Sequence, residues 1–279
     1  VSGIESDFLT FATKATYNVA GTAGSAIADL STPGLARAKL NQMLAPKDGN
    51  RAAQIDSVTM AGLVNGLKGL FHDGAQIKEQ YREGMIGRTA GTDWYENERI
   101  WSMTNGSDVT LVTINDATFT SGENTVTITG STGHAAGQVV TFAGCYAVHP
   151  ETKASLGYLQ QFVITSVATN TLTISPTPVT SGATQNVSAM PADGAAVTFV
   201  GAASTTYPMG LMYHKEAFQF VTADLPLMDD AHRCVRRTQD GLSMRVWQAS
   251  DIRNDELLMR IDILYGFAAL RPEWACRMI

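Results

Sequence analysis

Between Ser107 and Thr206 the chain almost stops carrying charge: the stretch holds six charged residues (Asp108, Asp116, Glu123, Glu151, Lys153, Asp193), no arginine and twenty threonines. Within it run short alternating segments, VTLVTI from Val109, NTVTIT from Asn124, QVVTF from Gln138, QQFVIT from Gln160, NTLTIS from Asn170 and AVTFV from Ala196. Gly, Ser, Asn or Pro separates them. β-branched side chains restrict χ1 and suit a pleated surface, and alternation with period two puts one face of each strand toward a core. Turn residues every ten or so positions then predict a small antiparallel sandwich or barrel. Such a block differs in kind from its flanks, so it is read as an all-β domain inserted into another fold.

The flanks mix helix and strand. A helix is predicted from Thr32, with Thr32 as N-cap and Pro33 at the first helical position, and with Ala36, Leu40, Met43 and Leu44 on one face. It ends at the turn sequence Pro46-Lys47-Asp48-Gly49. A second helix is predicted over Val58–Phe71, where Met60, Leu63, Val64, Leu67 and Phe71 recur at helical spacing. Gly62, Gly66 and Gly69 each cost that helix about 1 kcal/mol relative to Ala, so its stability has to come from close packing. After the insert, Leu242, Met244 and Val246, then Met259, Ile261, Ile263 and Tyr265, alternate with polar neighbours and predict a hairpin with a polar connector over Ser250–Glu256. Three segments result: 1–106, the inserted 107–207, and 208–279, with the first and last building one α+β domain together. In that arrangement the strand Leu257–Phe267 is expected to be central and buried, and Ile261→Ala to cost about 2–5 kcal/mol.

Charge and cysteine usage exclude several functions. The net charge is −6, and the densest basic cluster, Arg233, Arg236 and Arg237, is offset by Asp229, Asp230 and Asp240, which is not the basic face that phosphate binding requires. Cys145, Cys234 and Cys276 are odd in number and far apart, arguing against a disulfide framework or a zinc site. No apolar run reaches membrane-span length and no signal peptide opens the chain, so a soluble protein is expected. The opening from Ile4 to Val19 reads like the middle of a helix, and residues are expected to precede it.

Chemistry-bearing residues are scattered. His232 lies among Asp229, Asp230 and Cys234, donors that bind zinc when four converge, but no second pair stands at ligand spacing. His72 with Asp73, and His214 with Lys215 and Glu216, read as exposed helix termini, while His134 and His149 sit in turns of the insert. Gly21–Ala26 lacks the Gly-Lys-Ser/Thr of a phosphate loop and reads as a flexible loop. Trp94, Tyr95 and Trp101, near Asp93, Glu96 and Glu98, could form a sugar platform, although aromatic anchors of a subunit contact fit better. No catalytic, cofactor-binding or metal-ligating residue is assigned, and no cofactor is expected.

Four stretches carry a resemblance: GLSMRVWQASDIRNDELLMRIDILYGFAALRPEWACRMI (241–279), TFAGCYAVHPETK (141–153), LMYHKEAFQFVTADLPL (211–227) and KGLFHDGAQIKEQYREGMIGRTAGTDWYEN (68–97). Together they cover about a third of the chain and are spread along it in order, and it resembles the coat proteins of short-tailed phages of the P22 type. The resemblance implies an HK97-like capsid fold with peripheral and axial domains interrupted by an inserted antiparallel β-barrel or sandwich. It further implies a non-enzymatic major capsid protein whose hexamers and pentamers form an icosahedral head shell. Scaffolding protein and a portal would guide its assembly in the host bacterial cytoplasm, and the finished virion capsid would enclose double-stranded DNA without sequence-specific binding and without a membrane. In that family an extended arm and a long β-loop precede a spine helix, and residues 1–20 look like the latter part of that helix. The alternatives are a tail or surface adhesin with an Ig-like module and, less well supported, a carbohydrate-active enzyme, which would need a carboxylate pair in a cleft.

Overall fold

The structure is a computed structural model that describes residues 2–67, 86–107, 109, 111–130, 133–229, 232–239 and 241–279. Phe71, His72, Asp73, Asp230 and Asp240 lie outside the described residues. The chain begins with α1 (Ser2–Ala15), β1 (Val19–Ala20), α2 (Ser31–Gln42), β2 (Arg51–Ile55), α3 (Ser57–Leu67), β3 (Arg88–Thr89), β4 (Thr92–Glu96) and β5 (Met103–Thr104). The low-charge block follows with β6 (Thr125–Thr127), β7 (Val139–Val148), β8 (Ser155–Ala168), β9 (Thr171–Ser175) and β10 (Val197–Phe199). Then come β11 (Thr206–Tyr207), β12 (Gly210–His214), β13 (Phe218–Ala223), β14 (Arg233–Gln239), β15 (Leu242–Asp251), β16 (Glu256–Ala269), a 3-10 turn over Pro272–Trp274 and β17 (Ala275–Met278). The result is mixed α+β, mostly sheet. Among the described residues no helix is long and apolar enough to cross a membrane.

The chain divides into two compact units, residues 1–217 with 271–279, and residues 218–270. In the first unit a six-stranded sheet has the order β1-β17-β12-β2-β4-β3. At its centre β12 pairs antiparallel with β2, which comes from before the insert, and with β17, which comes from beyond the second unit. Sheet positions with neighbours on both sides are buried, and β17 is buried at all four residues. Leu40 of α2, Leu63 and Leu67 of α3, Ile55, Met212 and Met278 form the core there.

α2 starts one residue before the predicted cap, and no side chain caps it at Leu30. Instead the Asp29 carboxylate accepts from the Ser31 backbone N–H at 2.8 Å and from the Ser31 hydroxyl. Pro33 still fits, because N–H groups of the first turn have no helical acceptor to lose. Leu44, expected on the buried face, follows the helix with φ 60 and is exposed. Close packing does support α3: a Cβ at Gly66 would lie 1.7 Å from the Ala28 carbonyl oxygen. Gly66→Ala is therefore expected to destabilise by about 1–3 kcal/mol, with overpacking outweighing the gain of about 1 kcal/mol in helix propensity. Equilibrium urea unfolding of the variant checks this.

The low-charge block folds as a five-stranded antiparallel sheet in the order β10-β7-β8-β9-β6. The first alternating run, from Val109, does not become a strand, since Leu111 adopts φ 58 and stands 94% exposed. Its remainder hydrogen-bonds both edges of the sheet: Val197 N–H donates to Val112 O and Ile114 N–H to Ala195 O beside β10, while Asn115 N–H donates to Thr127 O in β6. Val126, Val140, Phe142, Phe162, Ile164 and Leu172 fill the interior. At the base of the block β5 pairs with β11, Met103 opposite Tyr207, so its two ends meet.

The second unit is a four-stranded antiparallel sheet ordered β13-β16-β15-β14. The predicted hairpin is present in the expected alternation, with Val246 opposite Ile261. The expected burial is not. β16 pairs with β15 over its first half and β13 over its second, neither of them from before the insert. Ile261 is 59% and Met259 61% exposed. Alternation shows that a strand has two chemical faces but not which face is covered, and here the face with Ser243 and Arg245 is the buried one. Ile261→Ala therefore falls in the surface range of about 0.5 kcal/mol rather than the core range.

Candidate functional site

The residues weighed for chemistry do structural work or stand apart. His214 is buried rather than exposed: it ends β12, with Nε2 3.0 Å from Asp48 Oδ1 and Nδ1 accepting from Glu216 N–H at 3.3 Å. An edge-on contact with the Trp274 ring completes its setting. Hydrogen bonds from Asn50 and His214 hold the Asp48 carboxyl well below the usual carboxylate range. Glu98 accepts from the Ser57 hydroxyl and, at 2.9 Å, from Ser57 N–H at the start of α3, which together lower its pKa, and Asp93 pairs with Arg88 at 3.0 Å. Trp94 is buried with Nε1 donating to Thr89 O, whereas its neighbour Tyr95 is exposed, because successive strand residues face opposite ways. No common platform forms. His134 stacks on Phe199 at 4.9 Å, and His149 Nδ1 accepts two backbone N–H groups in its turn. Among the described residues no three His, Cys, Asp or Glu side chains converge as a metal site. Arg236 pairs with Asp224 at 3.5 Å, not with Asp229.

What the first unit does assemble is a polar clasp between the six-stranded sheet and the β-block. Arg277, in β17, is wholly buried, and its Nη1 donates to Gly137 O at 2.6 Å while Nη2 donates to Lys14 O at 3.1 Å. The guanidinium lies 5.8 Å from the Trp101 ring centre. Burial pulls its pKa down to about 9, which leaves it charged at neutral pH. Nearby, Lys39 Nζ donates to Val19 O at 2.6 Å and to Gln161 Oε1 at 2.5 Å, and Tyr158 OH donates to Gln42 Oε1 at 3.1 Å. Burial also lowers the Lys39 pKa. Arg277 Nε is buried without a partner, but its two Nη donors and the Lys39 ammonium are each aimed at a fixed acceptor, which raises the cost of relative movement.

In the second unit the exposed face of the sheet holds a groove of about 530 Å³ lined by Arg233, Val235, Arg237, Met244, Val246, Gln248 and Ile261. The opposite face is knit together by Arg245, which donates to Asp262 at 2.5 Å and to Pro226 O at 2.7 Å. Arg245 and Arg260 hold Asp262 below its ordinary pKa. An exposed apolar groove with basic margins suits docking.

The family model for the P22 coat protein, gene protein 5, matches residues 13–278. The chain belongs to the P22 coat protein family. It is a structural phage capsid protein. Among solved structures the CUS-3 coat protein I-domain is similar at 29% identity, over 33% of this chain and 96% of that one, with a TM-score of 0.28. A structure from Mycobacterium phage Che8 is similar at 11% identity with a TM-score of 0.44, and covers 99% of this coat-family chain, which spans 59% of that chain's length. No curated protein matches.

For a coat protein the residues that matter are those that fix subunit shape, and sequence reading passed over Arg277, Lys39 and Gln161. Their signal was faint. Arg277 and Lys39 are ordinary charges in sequence, and nothing local marks them as buried. Arg277 does sit in the short run Ala275–Met278 between apolar residues, a setting in which a lone arginine has to find partners.

Proposed function

We propose that this chain is the repeating shell subunit of an HK97-like capsid, in which residues 107–207 form an inserted β-barrel domain. Hexamers and pentamers of it would close an icosahedral head around double-stranded DNA, with scaffolding protein and a portal directing assembly in the bacterial cytoplasm. The family match over residues 13–278 carries the reading. It is supported by the β5–β11 pair, which brings the two ends of the insert together as an insertion into a host domain requires. The bonding of the segment Val112–Asn115 to both edge strands also supports the barrel reading. The host domain is then residues 1–106 with 208–217 and 271–279, and residues 218–270 form a subdomain of their own. No residue is proposed as catalytic, cofactor-binding or metal-ligating. The low charge of the insert and the net charge of −6 suit a wall that does not grip its DNA.

The test is electron microscopy of the protein co-expressed with its phage's scaffolding protein. Closed particles of uniform diameter are expected. Fibres or discrete trimers would replace this reading with that of an adhesin.

A further inference from the structure

The second unit presents two surfaces that fit each other but cannot meet within one molecule. One is the groove described above, apolar at Val235, Val246 and Ile261 and flanked by Arg233 and Arg237. The other is the tip of the β15–β16 hairpin. There Ile252 is 98% exposed, with exposed Leu257 and Leu258 just behind it and Asp255 and Glu256 alongside. The tip is built, not frayed: Asp251 accepts from Arg253 N–H at 2.9 Å and from the Asn254 amide at 2.7 Å, fixing the turn that presents the isoleucine. Between tip and groove the β15–β16 ladder is unbroken from Asp251 opposite Glu256 to Met244 opposite Ile263. Ile252 lies six residue steps along the hairpin from Val246, about 20 Å, so the hairpin holds its own tip away from its own groove.

We infer that the hairpin tip of one copy docks in the groove of the next, Ile252 entering the apolar floor while Asp255 and Glu256 face Arg233 and Arg237. The occupant is a second copy because its charge is complementary. The tip carries Asp251, Asp255 and Glu256 against the one cation Arg253, and the groove margin is basic. Tip and groove are different surfaces, so the contact is head-to-tail, the kind that generates rings when the rotation closes. This rests on the shell-subunit reading and adds to it a specific contact within the assembly. Opposed charges at the rim set register and encounter rate while the desolvated apolar centre supplies affinity. The same opposition makes the contact weaker in high salt.

The experiment reads self-association of the full chain by sedimentation velocity and, with scaffolding protein, the yield of closed shells. Asp255→Arg with Glu256→Arg should weaken association at least about tenfold, as should Arg233→Glu with Arg237→Glu, and combining all four should restore it. All the altered side chains are exposed, so an unchanged circular dichroism spectrum is expected, with at most a small fall in melting temperature from Asp255→Arg, whose backbone stands at φ 52. Ile252→Asp should abolish association without affecting folding. Groove variants that weaken association while tip variants do not would overturn the tip as occupant. Variants that all assemble as the wild type does would overturn the contact and leave the shell function standing. A wild-type chain that stays monomeric and yields no shells would overturn both.

Discussion

Replacing Arg277 by alanine is expected to cost about 3–5 kcal/mol, because it empties a wholly buried site and strips the Gly137 and Lys14 carbonyls of their donor. The effect should be visible in chemical denaturation as a loss of midpoint. A scanning calorimeter should also show the β-block melting separately from the six-stranded sheet once the clasp between them is gone. Arg277→Met discriminates the causes, since it refills most of the volume but restores neither hydrogen bond. An intermediate loss of about 1–3 kcal/mol is expected for it. If the methionine variant matched the wild type, the hydrogen bonds would be contributing no more than the desolvation of the guanidinium costs, as happens for some buried charges, and the clasp would be a matter of packing alone.

Phe142→Ala should be comparably damaging, about 3–5 kcal/mol, and by a different route. Phe142 and Phe162 are both wholly buried inside the β-block, with ring centres 5.2 Å apart on the paired strands β7 and β8. Truncation leaves a cavity that the sheet cannot readily collapse to fill, because β7 and β8 are each hydrogen-bonded to a strand on both sides. Phe142→Leu keeps most of the volume and should cost less than about 1.5 kcal/mol. Urea titration of the two variants gives the comparison, and equal losses for both would mean that the interior tolerates rearrangement.

Much of the fold was legible because its causes are local. Threonine and valine alternation with turn residues at short intervals marks Ser107–Thr206 as β whatever surrounds it, and α2, α3 and the β15–β16 hairpin follow from periodicity in the same way. The run from Val109 shows the limit: its composition is strand-like, yet Leu111 at φ 58 interrupts it and the remainder joins two edges at once. Family membership was carried by long ordered stretches, which local chemistry specifies residue by residue.

Burial is another matter, because it belongs to pairs of elements distant in sequence. His214 looked like a helix terminus and is a core residue because β12 lies between β2 and β17, strands that are respectively about 160 residues before and 60 after it. Arg277 looked like any surface arginine and is sealed in because Gly137, Lys14 and Trp101 come to it from three other parts of the chain. Ile261 looked like core and is exposed, because the alternation that predicted a covered face could not say whether another layer of this chain would cover it. Local pattern marks most segments as helix or strand, the run from Val109 excepted, and shows which of their faces are apolar. Which of those faces meet is settled in the fold, since a face is buried by the partner it packs against and local periodicity carries no information about that partner.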